Sequence, residues 1–205
     1  MPPDPSRGRR PASRDRERST SGSLAPVSVP PELAIRRAVA DDALCLHALA
    51  TQVFLETYAR SGIRQSLARE VSCQFSEATF AQRLADCDYR ALLAERSGHL
   101  VAFAELELGR THALLGNARA AELSRLYVQS PFVRQRIGTL LLQTAEAHAF
   151  ASGASTLWLT AWVGNGRALA FYASQGYREL GSTQHEFENE RFENRLFAKA
   201  LRAET

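Results

Sequence analysis

No long hydrophobic run occurs in this sequence. Its densest apolar stretches, at 140–142 and 156–163, fall far short of the roughly 18 residues that a membrane-spanning helix needs. No bilayer span is expected, and a membrane is not an expected partner. Cysteine is scarce: Cys45, Cys73 and Cys87 are odd in number, form no C-x-x-C pair and follow no apolar signal segment. That pattern argues against a disulfide framework and a structural zinc site, and points to a reducing, cytoplasmic setting. Closely spaced histidine pairs are missing too, so no metal is expected. An excess of positive charge is lacking once the net +3 is divided along the chain. Residues 1–30 hold six arginines against Asp4, Asp15 and Glu17, and the remainder balances nineteen basic against nineteen acidic groups. A neutral folded region has no global electrostatic footprint for DNA or RNA, so no nucleic-acid partner is expected.

What is present suits one ordinary domain: 205 residues, 45% hydrophobic and 23% charged. Residues 1–31 are rich in Pro, Ser, Arg and Gly without apolar periodicity, and read as a disordered tail ahead of a domain spanning 32–205. Short alternating elements follow. A strand over 33–39 leads to a helix capped by Asp41 or Asp42, with Leu44, Leu46, Leu49, Val53 and Phe54 apolar. A second helical region ends near Asp88, its last helix opened by Ser76. Strands over 89–95 and 100–108 flank a Ser97-Gly98 turn, the pattern of a hairpin. After a loop come a strand at 121–128, a helix at 135–151, a strand at 155–163, a helix at 166–175 and strands at 177–187 and 192–199. This order predicts an α/β fold, one mixed sheet with helices on both faces. No internal repeat is found.

The segment 122–142 is the most informative. A buried strand ends at Val128, a short loop containing Pro131 follows, and a helix begins near Gln135 with the stripe Ile137, Leu140, Leu141, Thr144, Ala145 and His148. A strand, a tight loop and a helix N-terminus form an anion site, because backbone N–H groups and the positive end of the helix dipole point out of the turn.

The chain here resembles the GNAT superfamily of N-acetyltransferases, whose acetyl-CoA loop reads Q/R-x-x-G-x-G/A. Aligned on Arg125-Leu126-Tyr127-Val128, the six loop positions are Val133, Arg134, Gln135, Arg136, Ile137 and Gly138. Only Gly138 keeps the pattern, and Arg136 stands where glycine would let backbone approach phosphate closely. The loop would still serve if its backbone stays at φ below zero, with arginine adding charge-assisted contacts. A second signature, N-x-x-A-x-x-F-Y-x-x-x-G-F/Y, is matched at Asn165, Ala168, Phe171, Tyr172, Gly176 and Tyr177.

The resemblance implies a single, mostly antiparallel GNAT sheet and direct acetyl transfer from acetyl-CoA to a primary amine. Leu126, Tyr127 and Val128, the loop from Val133 through Gly138 with Thr139, and Asn165 are the implied acetyl-CoA contacts. Tyr172 is the implied acid for the departing thiolate. Glu122, placed by strand parity with Ser124, Leu126 and Val128, is the implied base. The runs at 53–58, 75–86 and 157–162 resemble the PaiA-type polyamine acetyltransferases over residues 33–201, so a small-molecule amine is the expected partner and a homodimer is left open. A catalytically silent acyl-CoA sensor or protein-binding module on the same fold is the alternative. Asn165 and Gly176 also serve as helix caps, His148 reads as a core histidine, and Trp158 and Trp162 read as sheet packing. Glu56, Asp86, Asp88, Glu105 and Glu107 read first as a solvated face, and secondarily as attraction for a polycation.

Overall fold

Alternation of side chains across the central strands builds two cores on one sheet. The computed structural model describes residues 33–202 apart from 117–118 and 188–189. The Arg-rich tail and the boundary drawn at residue 31 lie outside the described residues. Seven strands, β1 (Leu33–Arg37), β2 (Tyr89–Arg96), β3 (His99–Leu108), β4 (Ala120–Val128), β5 (Thr156–Trp162), β6 (Arg178–Phe187) and β7 (Glu190–Ala200), lie in the order β1-β2-β3-β4-β5-β7-β6. Every pairing is antiparallel except β4 with β5. This is the mixed, mostly antiparallel sheet that the resemblance implies.

On one face pack α1 (Ala43–Tyr58), α2 (Gln65–Gln74) and α3 (Glu77–Leu84), where Leu46, Leu49, Phe75 and Phe80 meet Ala91, Leu93 and Phe103 of the sheet. On the other lie α4 (Ile137–Ala151) and α5 (Gly166–Ser174), where Leu141, Ala145 and Tyr172 meet Leu92, Ala94 and Leu106. Neighbours in β2 thus serve opposite cores, as the two-residue period requires, and the central strands are apolar on both sides. Full burial of each large apolar side chain contributes about 1.5–3 kcal/mol.

Local signals explain most boundaries. Ser76 caps α3, its hydroxyl oxygen accepting the Thr79 N–H at 3.1 Å. Ser97 and Gly98 both have positive φ, which suits the twist of the β2–β3 hairpin. Gly176, at φ 83°, ends α5 in the left-handed region. Asp42 precedes α1 but makes no side-chain cap to it. Its carboxylate instead accepts the Val39 N–H and two 2.7 Å bonds from Arg36, which also donates to Glu95.

Two periodicity readings are corrected. Helix α4 starts at Ile137, two residues later than expected. Its buried stripe is Ile137, Leu141, Leu142, Ala145 and Ala149, whereas Leu140 and His148 face solvent. A wide apolar arc leaves the stripe's phase poorly determined, and the late start sets it. Among the described residues no helix is long and apolar enough to cross a membrane.

Candidate active site

The β4–β5 ladder stops early. It pairs Ala120 to Glu122 with Thr156 to Trp158, although β4 continues to Val128 and β5 to Trp162. At this level β4 also carries a bulge: Glu105 pairs with Arg125 and Leu106 with Leu123, leaving Ser124 as the extra residue. Bulges increase local twist, and the two strands part beyond it. The β4 edge that turns toward β5 then has no strand partner among the described residues, so its backbone groups are available to a ligand.

The opening holds a cavity of about 330 Å³. Residues 123–127 of β4, 160–162 of β5 and Asn165, Ala168 and Tyr172 of α5 form its inner walls, and Phe54, Tyr58, Phe75 and Phe192 contribute aromatic surface. Tyr172 is 9% exposed and is wedged against Phe171, Tyr177 and Phe197, with ring centroids 5.2–6.3 Å away. Burial, reinforced by nearby Tyr58, pushes its phenol above the usual range and keeps it protonated. Asn165 caps α5, its Oδ1 accepting the Ala168 N–H at 3.2 Å, while also lining the cavity. The anticipated helix cap is thus present. Leu126 and Tyr127 reach the cavity, and Val128 faces Gly138 at the start of α4.

The loop before α4 differs from expectation. Arg134 and Arg136 have φ of 62° and 64°, so the backbone does not stay below zero. Left-handed geometry costs an L-residue roughly 1–2 kcal/mol, yet it turns successive N–H groups into a concave nest suited to an anion. No side chain caps α4, which leaves its first N–H groups available. Arg134, Gln135 and Arg136 are exposed, Val133 and Thr139 are half-buried and Ile137 is buried. Gln135 is tied down: it accepts from Arg96 at 2.7 Å and donates to the Pro131 carbonyl at 2.9 Å. At Gly138 an added Cβ would meet only Phe171 and Val128, at 3.7 Å, so internal packing does not demand glycine there. These donors and cations fit a pyrophosphate.

Glu122 is half-buried where the β4–β5 ladder ends. Because Ser124 is an extra residue, Glu122 does not share a face with Leu126 and Val128; it lies with Arg125 and Tyr127, opposite Glu107. The parity that linked it to Ser124, Leu126 and Val128 is thereby corrected. Burial, then the charge of Glu107, pushes its carboxyl up to about 7, and it is not part of the cavity wall.

The acidic face is also different in character. Glu105 is fully buried, bound by Arg125 at 2.5 Å and approached by Arg83 at 3.8 Å. Glu107 pairs with Arg110 at 2.8 Å, and Glu56 accepts from Ser130 and Gln52. Asp86, Cys87 and Asp88 stand together in the exposed α3–β2 turn, where Asp86 accepts the Asp88 N–H. Trp158 is a packing residue, its indole N–H donating to the Arg110 carbonyl at 2.9 Å. Trp162 instead lines the cavity, 5.7 Å from Tyr58 and 6.4 Å from Phe192. Sequence reasoning missed Tyr58, Arg125, Trp162, Phe192 and Asn194 as wall residues. Tyr58 and Trp162 had a signal, as the last residues of the runs 53–58 and 157–162 that resemble the PaiA-type enzymes.

Residues 56–177 match the Acetyltransferase (GNAT) family. An uncharacterised N-acetyltransferase of Mycobacterium bovis is 30% identical over 118 residues, covering 58% of this chain and 71% of its own. Among solved structures, the PaiA N-acetyltransferase of Thermoplasma acidophilum, in complex with coenzyme A, has a TM-score of 0.64 at 21% identity, covering 82% of this chain and 99% of that one. A GCN5-related N-acetyltransferase from Rhodopseudomonas palustris has a TM-score of 0.65 at 25% identity, covering 84% and 98%. With a family match across most of the α1–α5 region, over the opened strands and the buried tyrosine, the chain belongs to the GNAT family of acetyltransferases.

Proposed function

We propose that this protein transfers the acetyl group of acetyl-CoA to the primary amine of a small molecule, with the opened β4–β5 cleft as the place of reaction. The observation that carries the reading is the buried Tyr172 phenol in a cavity bounded by the unpaired edge of β4. Acetyl-CoA supplies an activated thioester. The nest around Arg134 and Arg136, with Val133, Gln135, Ile137, Gly138 and Thr139, receives its phosphates, and Leu126, Tyr127, Val128 and Asn165 receive its acyl arm. A backbone N–H of residues 126–128 stabilises the negative charge that develops on the carbonyl oxygen. Tyr172 donates its proton to the departing sulfur; a raised pKa keeps that proton in place until it is needed. An amine is protonated near neutral pH and must lose a proton before it attacks. Glu122, with a carboxyl near 7, accepts it through water, since it stands outside the cavity wall.

The test is release of CoA thiol from acetyl-CoA with the full chain and a panel of spermidine, spermine, amino acids, aminoglycosides and short peptides. Saturable turnover on at least one amine supports the reading. Tight CoA binding without turnover on any amine replaces it with the acyl-CoA sensor.

A further inference from the structure

Among the described residues, the charges that line the cavity do not match a polycation: Arg64 and Arg125 stand there with one carboxylate, that of Glu70, and neutral Ser124, Thr160, Asn165 and Asn194 supply other polar groups. The aromatic wall is continuous: Phe75, Phe54, Tyr58, Trp162 and Phe192 follow one another at centroid separations of 4.8–6.4 Å. Such a wall can bind a cation, but two guanidiniums already lie over its faces. Arg125 sits over Phe75 at 5.1 Å and Arg64 over Phe192 at 5.9 Å.

Arg125 compensates the buried charge of Glu105, a role that Arg83 shares, and it does so from the wall of the cavity. Glu105 grips Arg125 at one nitrogen, Nη1, and Arg83 also approaches that carboxylate. Two cations thus share one fully buried anion, and the cluster keeps a net positive charge beside the cavity. Glu122 lies on the same strand face without an ion pair to Arg125. A guanidinium held at Nη1 by a carboxylate and set over an aromatic ring in the cavity wall has further N–H groups, in the planar geometry that suits an oxyanion, beside the cavity.

We infer that the acceptor is an amine that also bears a carboxylate and an aromatic body, in the manner of an aromatic amino acid, and that Arg125 receives the carboxylate. The inference deepens the acetyltransferase reading and rests on it. A cavity of about 330 Å³ holds a small acceptor of this kind. The aromatic wall takes the ring, Arg125 holds the carboxylate, and the amine is left toward Tyr172 and the β4 edge.

The experiment compares L-phenylalanine and L-tryptophan with phenethylamine, tryptamine and spermidine, by calorimetric binding to the full chain in the presence of CoA and by thiol release from acetyl-CoA. Each amino acid should bind at least tenfold more tightly than its decarboxylated amine, and spermidine more weakly than either. Arg125→Lys, which leaves Glu105 a cation, should weaken amino-acid binding about tenfold and leave the amines within twofold. The double variant Arg125→Gln with Glu105→Gln removes both charges and should abolish the preference, which covers misfolding of a single variant. Equal binding of acid and amine, preference for spermidine, or binding of none of these ligands overturns the inference. Acetylation of another amine without amino-acid binding would overturn it while leaving the transferase standing. Amino-acid binding without any acetyl transfer would sustain the inference about the pocket and remove the transferase.

Discussion

Replacing Arg136 by glycine should move stability and cofactor affinity in opposite directions. Arg136 precedes α4 at φ 64°, in the left-handed region. Relief of that geometry is worth roughly 1–2 kcal/mol, and the extra freedom glycine gives the unfolded chain returns about 0.5–1 kcal/mol of it. The net gain is about 0.5–1 kcal/mol, which for a domain of this size raises Tm by about 1–4 °C. The side chain is exposed, and no ion pair or side-chain hydrogen bond holds it among the described residues, so its removal costs the free protein little. In the complex, a lost charge-assisted contact to phosphate costs about 1.5–3 kcal/mol, or roughly 10- to 150-fold in Kd. Differential scanning calorimetry without ligand, followed by CoA titration at about 50 and 500 mM salt, reads both quantities. The affinity loss should shrink at high salt, where the attraction is already screened. Dephospho-CoA locates the contact: a loss that vanishes with that analogue places Arg136 at the 3′-phosphate. A lower Tm for Arg136→Gly would refute the strained backbone, and tighter CoA binding at low salt would show that the arginine obstructs the loop.

Tyr172→Phe should retain CoA binding and lower kcat by about a hundredfold or more, since a positioned acid contributes about 10²- to 10⁴-fold; unchanged turnover at saturation would remove Tyr172 from the reaction. Glu122 has a folded pKa raised from the ordinary carboxylate value to about 7, so the native state holds its proton where the unfolded chain has released it. Stability is therefore lost as pH rises through roughly 4.5 to 7, and Glu122→Gln should recover on the order of 1–2 kcal/mol above pH 7 after allowance for solvent screening, as read by urea unfolding at pH 5 and 8. The same substitution should flatten the rising limb of kcat/KM near pH 7, and an unaltered limb would assign the base elsewhere. At Gly164 an added Cβ would fall 2.4–2.7 Å from three atoms of the Trp162 indole. Gly164→Ala should thus swing the indole off the cavity wall, raise the acceptor KM several-fold and lower stability by about 1–3 kcal/mol; unchanged tryptophan fluorescence and KM would show that the ring does not need that space.

Much of this protein was legible in one dimension because local rules act over a few residues. The two-residue period placed β2 and β3, Ser97-Gly98 marked their turn, Ser76 and Asn165 marked helix starts, and Gly176 marked a helix end. The ordered motif from Asn165 to Tyr177 carried the family, because a capped helix with Phe171 and Tyr172 on it keeps its spacing whatever lies around it. Tertiary structure decided the rest. One extra residue at Ser124 moved Glu122 to the face opposite Leu126 and Val128, a change that no count along the strand reveals, since a bulge exists only relative to the strand it pairs with. Glu105 looked like part of a solvated acidic face, but α3 and β4 bring Arg83 and Arg125 to it, and burial between two arginines makes it an anchor. The cavity itself arises because β4 and β5 pair for three residues and then part, which joins an aromatic wall from segments more than a hundred residues apart. Periodicity assigns a side chain to a face; only the assembled sheet determines what stands across from it.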